Sequence, residues 1–292
     1  MKFQLKALAA ALALAVTLPA HAAIDLPNTG NGSLILTMLD RVGTISATFD
    51  LGKNYGDFSV SPNVAANTTT QSQGSLTNPS LLFPVSGVDA PGTSFSWNLT
   101  QGDYAAAWTS FLSVGTLANT TWGVLAGDVI GSGNGGRGYI TTASAAGTPI
   151  STAFISTDVG NLNTYLSAVN FDPNNLVTNQ SSVANGASTA IAGQSYAGSA
   201  VIQPDGSLSG KGTITMGAIG ADLGVIQLST IGSSLTQANQ YKFANNAHFN
   251  LSSTGLLTYA TTVAAPVPEA DTWAMMFMGL GLMGFIARRK QS

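Results

Sequence analysis

The sequence predicts a mainly β protein. It reads as a single β-sandwich-like or related β-rich exported domain, with an N-terminal signal peptide and a C-terminal single transmembrane helix. Three observations carry this: apolar and polar residues alternate with period two in many short stretches; Gly, Asn, Ser and Pro separate those stretches; and the two ends differ sharply from the middle in charge. With 45% apolar residues and only 8% charged residues among 292, the chain can build a packed core and wets its surface with uncharged side chains.

The N-terminus opens with Lys2 and Lys6, runs apolar from Ala7 to Leu18, and reaches Ala20-His21-Ala22 before Ala23. That order is the basic region, apolar core and small-residue cleavage site of a secretory signal peptide. Residues 1–22 are therefore expected to be removed, with Ala20, Ala22 and Ala23 at the cut.

Alternation is clearest in Thr44–Gly52, where Ile45, Ala47, Phe49 and Leu51 share a face, and in Ser94–Thr100, where Phe95, Trp97 and Leu99 do. Tyr241–Leu251 reads as another strand of this kind. Further strands are expected at Leu34–Leu39, Ala105–Val114, Trp122–Ile130, Gly138–Thr142, Ala153–Ser156, Tyr196–Gln203, Thr213–Ala218, Gly224–Thr230 and Leu256–Thr261. Asp158–Phe171 is the helix expected inside the body, because Leu162, Leu166 and Val169 recur at helical spacing. Asn63–Pro79 and Asn174–Gly193, rich in Ser, Thr, Asn, Gln and Ala, read as loops. No fixed-period repeat argues for a propeller or regular β-helix.

Charge and composition exclude several functions. Between Ala23 and Pro266 lie eleven Asp, three Lys and two Arg, and no cationic cluster, so the electrostatic basis for nucleic-acid binding is missing. Cysteine is absent, which removes disulfides, thiolate nucleophiles and cysteine metal ligands. Beyond the signal peptide His248 is the sole histidine, placed on the polar face of its expected strand, and no GxSxG nucleophile elbow accompanies it. No cofactor and no metal site is expected. Gly131–Gly136 spells GxGxxG in its spacing, but a strand-like RGYITT follows instead of a helix, so a hairpin loop is expected there. Asp128–Asn134 and Asp172–Asn175 hold calcium-type oxygen donors at no established loop spacing. Trp108 and Trp122 are candidates for either the core or sugar stacking.

The C-terminus, residues 263–292, is a Pro-bearing linker followed by an unbroken apolar run from Trp273 to Ala287 and then Arg288, Arg289 and Lys290. Fifteen residues of helix span about 22 Å, short for a bilayer core of about 30 Å. Thr272 extends the span, giving an expected transmembrane helix over 272–287. The terminal cations can reach the headgroups and hold the C-terminus on the cytoplasmic side, with membrane lipid as the helix's partner. Gly279, Gly281 and Gly284 also match GxGxxG in spacing, but inside this run they serve close helix approach.

Val267, Pro268, Glu269 and Ala270, then Thr272 and Trp273, the apolar helix, and Arg288 and Arg289 together resemble the PEP-CTERM sorting signal. The family's second proline is Ala270 here. The resemblance implies recognition and cleavage by an exosortase, an integral-membrane enzyme of Gram-negative bacteria that make exopolysaccharide. It also implies final placement at the outer surface or in the extracellular matrix.

The expected function of the body, residues 23–262, is therefore structural or adhesive and not enzymatic. The alternative is a carbohydrate-binding module that retains exopolysaccharide. A third reading is a secreted hydrolase with an Asp pair, although the sole glutamate, Glu269, lies in the tail.

Overall fold

The computed structural model describes residues 24–59, 87–129, 137–143, 155–179, 186–199, 216–230 and 238–262. The β-rich expectation holds. The strands are β1 (Ser33–Asp40), β2 (Ile45–Asn54), β3 (Ser94–Asn98), β4 (Thr120–Val129), β5 (Arg137–Ala143), β6 (Ala187–Ile191), β7 (Gly217–Ala218), β8 (Asp222–Thr230), β9 (Ala238–Lys242), β10 (His248–Leu251) and β11 (Leu256–Ala260). They form one curled antiparallel sheet in the order β3-β11-β10-β8-β5-β4-β1-β2-β6, with β7 beside β4 and β9 beside β8.

A single sheet can bury both faces only if something covers its outside. The helices are α1 (Tyr55–Phe58), α2 (Ala105–Val114) and α3 (Ile155–Phe171). Inside the curl, Leu34, Leu36, Met38, Phe49, Trp122, Val124, Leu257 and Tyr259 pack with Phe58 of α1 and with Trp108 and Phe111 of α2. Outside it, Ile35, Leu39, Leu125, Tyr139, Ile226 and Leu228 pack under Val159, Leu162, Leu166 and Val169 of α3. Every residue of β1 is consequently buried, which is why its sequence, SLILTMLD, is nearly continuous in apolar residues.

The sheet is not split into two stacked sheets. β1 and β2 bring their neighbours β4 and β6 into the same ladder, and the curl alone brings its ends toward each other. Trp97 Nε1 donates to the Leu51 carbonyl at 2.8 Å, tying β3 to the far end of β2.

Five local expectations are corrected. Ala105–Val114 is the helix α2 and not a strand. Tyr104, Ala107, Trp108 and Phe111 are all buried, and they follow helical spacing, so the helical period overrides the apparent alternation. β6 lies inside the stretch expected to be loop. Its Ala187, Ser188, Thr189 and Ala190 are buried although only the alanines are apolar. Tyr241–Leu251 is not continuous. Asn245 and Asn246 take φ of 52° and 50°, a left-handed excursion that Asn tolerates, and it separates β9 from β10 on the same flank of β8. Ile155 and Ser156 open α3 instead of closing a strand, and Ala197–Ser199 form a 3-10 turn. In Thr213–Ala218, the strand found among the described residues is Gly217–Ala218.

Candidate functional site

The signal-cleavage residues Ala20, Ala22 and Ala23 lie outside the described residues, as do the whole tail motif (Val267, Pro268, Glu269, Ala270, Thr272, Trp273, Arg288 and Arg289) and the expected helix 272–287. Among the described residues no helix is long and apolar enough to cross a membrane. What the structure does place is the point where each end joins the body. Ile24 is buried in the outer core and clamped by one side chain of α3: its N–H donates to Asn170 Oδ1 at 3.0 Å, and its carbonyl accepts from Asn170 Nδ2 at 2.9 Å. At the other end the Thr262 N–H donates to the Asn245 carbonyl at 2.7 Å, and Thr261 Oγ1 donates to the Ala90 carbonyl at 2.6 Å. Both connections to the expected address segments are thus fixed to the fold within a residue or two.

Helix α3 covers the outside of β1, β4, β5 and β8 but does not reach β3, β10 and β11. On those strands the inward residues Phe95, Trp97, Phe249, Leu251, Leu257 and Tyr259 belong to the inner core, and the outward ones form registered rows. Ser96 stands opposite Thr258, Thr258 opposite Asn250, and Asn250 opposite Asp222. Asn250 Nδ2 donates to Asp222 Oδ1 at 2.7 Å and to the Gly220 carbonyl at 3.0 Å. In the next rows Ser94 is opposite Ala260 and Ala260 opposite His248, while Asn98 is opposite Leu256. The result is an outward face of hydroxyls and amides, with Ala260 and the exposed Leu256 among them. His248 is on it, half-buried, with Nδ1 2.8 Å from the Asn246 carbonyl.

Several of the described aspartates hold backbone in place. Asp40 accepts from the N–H groups of Val42 and Gly43 at 2.8 and 2.9 Å and from Thr116 at 2.8 Å, closing the β1–β2 turn and pinning the chain after α2. Burial pushes its carboxyl up, but the Gly43, Thr116 and Val42 donors together pull it down, and the balance lies below the ordinary value. Asp128 behaves oppositely. Burial raises its carboxyl, and the single N–H of Asn31, at 2.9 Å, does not offset that. Asp172 Oδ1 is taken by the Asn174 N–H at 3.0 Å and its amide at 3.1 Å. Among the described residues no three of His, Cys, Asp and Glu gather as a metal site needs.

Trp122 and Trp108 are both core residues, at 0% and 6% exposure, so neither presents a ring for sugar stacking. β4 and β5 pair antiparallel up to Val129 opposite Arg137; the glycine-rich segment between them, where a hairpin loop was expected, lies outside the described residues. Two buried polar assemblies lay hidden from sequence reasoning. Tyr165 of α3 meets Thr48 Oγ1 at 2.6 Å, its phenol pushed up to about 12 by burial. Gln227, fully buried inside the curl, donates to Tyr55 Oη at 3.1 Å and to Ser59 Oγ at 3.0 Å. The outward Thr and Ser of β2 carried a weak signal of the first, and the Gln amid the apolar residues of β8 carried one of the second.

Residues 266–290 match the family model of the PEP-CTERM protein-sorting motif. The match takes in all eight tail residues singled out from the sequence. It implies an exported, membrane-transiting protein sorted by an exosortase. No curated protein and no solved structure matches this chain.

Proposed function

We propose that the chain is a non-enzymatic structural or adhesive protein of the cell surface or extracellular matrix. The observation that supports this reading is the sorting motif at 266–290. In this reading residues 1–22 direct export and are removed, and residues 23–262 form the working domain. Residues 263–292 then hold that domain at the membrane through helix 272–287, in contact with lipid, with the C-terminus cytoplasmic until an exosortase acts. The fold is consistent with such a role, since Asp40 closes a turn and the domain is pinned at Ile24 and Thr262. Deletion of Val267–Ser292 in an exosortase-containing host is expected to move the protein from the cell surface into the medium or leave it in the periplasm. Fractionation and immunoblotting read the outcome, and an unchanged distribution rejects the reading.

A second reading is retention of exopolysaccharide, favoured by the outward hydroxyl and amide groups of Ser94, Ser96, Asn98, Asn250 and Thr258. Sugars are recognised by hydrogen-bonding groups of this type, although the aromatic rings that commonly stack on them are turned inward here. Co-sedimentation of the mature chain with the host's own polysaccharide tests it, and absence of retention removes it.

A further inference from the structure

Thr261 and Thr262, which follow β11, are gripped by two loops distant in sequence. The chain after the 3-10 turn Gly87–Asp89 holds Thr261. Thr261 Oγ1 donates to the Ala90 carbonyl at 2.6 Å and accepts from the Thr93 N–H at 2.9 Å, and the Thr261 N–H donates to the Thr93 carbonyl at 3.0 Å. The turn between β9 and β10 holds Thr262, whose N–H and Oγ1 both donate to the Asn245 carbonyl, at 2.7 and 2.9 Å. The two loops are also tied to each other. Asn245 Nδ2 donates to the Asp89 carbonyl at 2.7 Å, and the Ala244 N–H donates to Asp89 Oδ2 at 3.2 Å. Just before the knot, Tyr259 is fully buried and its phenol donates to the Val88 carbonyl at 2.8 Å. β11 itself ends at Ala260, so the grip on the next two residues fixes where the chain leaves the body.

That point limits how far the sorting motif can stand from the body. The matched motif begins at Pro266, and only Val263, Ala264 and Ala265 separate it from Thr262. From Thr262 to Pro268 the chain reaches at most about 21 Å, at ~3.5 Å per residue. An enzyme that takes its peptide as an extended strand must therefore come close to the body. We propose that the knot of Asp89, Asn245, Thr261 and Thr262 is a stop that sets the reach of the tail, leaving the motif only just clear of the body, and that the end of the body around the knot is the surface an exosortase meets. Pro91, Gly92 and Asn246 are exposed at that end and carry no charge, so close approach strips no ion of its water. The inference rests on the sorting reading above and adds to it the spacing and the surface.

The test uses the full-length chain in an exosortase-containing host. Immunoblotting reads the fraction that has lost its tail, and mass spectrometry locates the new C-terminus. Deleting Val263–Ala265 sets Pro266 directly after the knot and is expected to cut that fraction about tenfold or more, because small misplacements of a reacting group are costly. Val263→Gly, Ala264→Ser and Ala265→Gly made together keep the length, and the fraction is expected to stay within about twofold of wild type. Thr261→Val with Asn245→Ala loosens the knot, removing two hydroxyl bonds and setting alanine where φ is 52°. With the natural linker this pair is expected to change nothing. In the deletion background it frees two residues, about 7 Å of reach, and is expected to recover processing several-fold. Unchanged circular dichroism shows that the body stays folded. A deletion variant processed like the wild type overturns the proposal, as does a length-preserving replacement as slow as the deletion, or a deletion that the loosened knot does not recover. A wild-type chain that keeps its tail rejects the sorting reading itself, and the proposal with it.

Discussion

β1 and β11 belong to the same sheet but live in different surroundings. All eight residues of β1 are buried, with Leu34, Leu36 and Met38 inside the curl and Ile35 and Leu39 under α3. β11 alternates: Leu257 and Tyr259 are buried, while Leu256 is exposed and Thr258 and Ala260 are half-exposed. The difference is the reach of the outer cover, built by the 17-residue α3 together with Ile24, Tyr196 and Ala197. Where α3 lies on the sheet, both faces are buried, polar side chains there need partners, as Thr48 has in Tyr165, and position matters for stability. Where it does not, the outward face is released for hydroxyls and amides that are available for contact.

The largest test of that contrast is Trp122→Ala in β4. The ring is fully buried and its Nε1 donates to the Ala218 carbonyl at 2.9 Å. Truncation leaves a cavity and removes one of two donors to that carbonyl, which keeps the Ala221 N–H at 3.1 Å, so a loss of about 3–5 kcal/mol is expected in urea unfolding, enough to unfold a marginal domain. A loss below about 1 kcal/mol would mean that the two-faced half is not the stability centre.

Next comes Asp40, at the end of β1. Asp40→Ala leaves three backbone N–H groups without their acceptor, and a loss of about 2–4 kcal/mol is expected. Its carboxyl lies below the ordinary value when folded. The stability it contributes is therefore complete above the unfolded value of about 3.9 and is lost as pH falls through the folded one. Thermal midpoints from pH 7 down to pH 2 should fall less steeply for Asp40→Asn than for the wild type. Asn keeps one acceptor oxygen for Val42 and Gly43 but turns an amide toward the Thr116 N–H.

How the chain announced these regions follows from the same contrast. Elements whose two faces differ were legible, as in β2, β3 and the Leu162-Leu166-Val169 stripe of α3, because burial writes a period into the sequence. Elements buried by neighbours of mixed polarity were not. β6 carries Ser188 and Thr189 in the interior because Asn175 Nδ2 donates to Ser188 Oγ at 3.0 Å and Thr189 Oγ1 donates to the Ala107 carbonyl at 3.0 Å. Satisfied hydroxyls then look like loop composition. α2 was misread because Ala is indifferent to face. The tail was the most legible part, since an address depends on composition and order, while the open face of β3, β10 and β11 emerged only once register was known.

A smaller effect of opposite sign is expected at Asp128. Its carboxyl is raised by burial, so the ionised form costs stability above the folded value, and that cost is relieved as pH falls. Asp128→Asn keeps an oxygen for the Asn31 N–H and removes the charge. Stability at pH 7 is expected to stay level or rise by up to about 1 kcal/mol. A clear loss would show that the charge is needed by a partner on that corner of the fold.

The smallest effect sharpens the comparison most directly. Thr258 is half-exposed on the outward face of β11, and its Oγ1 lies 3.4 Å from the Asn250 carbonyl, a long bond that adds little. Thr258→Val keeps the β-branched shape and suits a strand, so the unfolding midpoint should correspond to a change within about 0.5 kcal/mol. The same exchange at Thr48 of β2, whose hydroxyl meets Tyr165 under α3, should cost more, about 1–3 kcal/mol, because a buried phenol loses its partner. If the two substitutions cost the same, the outward face of β11 is covered as fully as that of β2, and the open half of the sheet is open in name only.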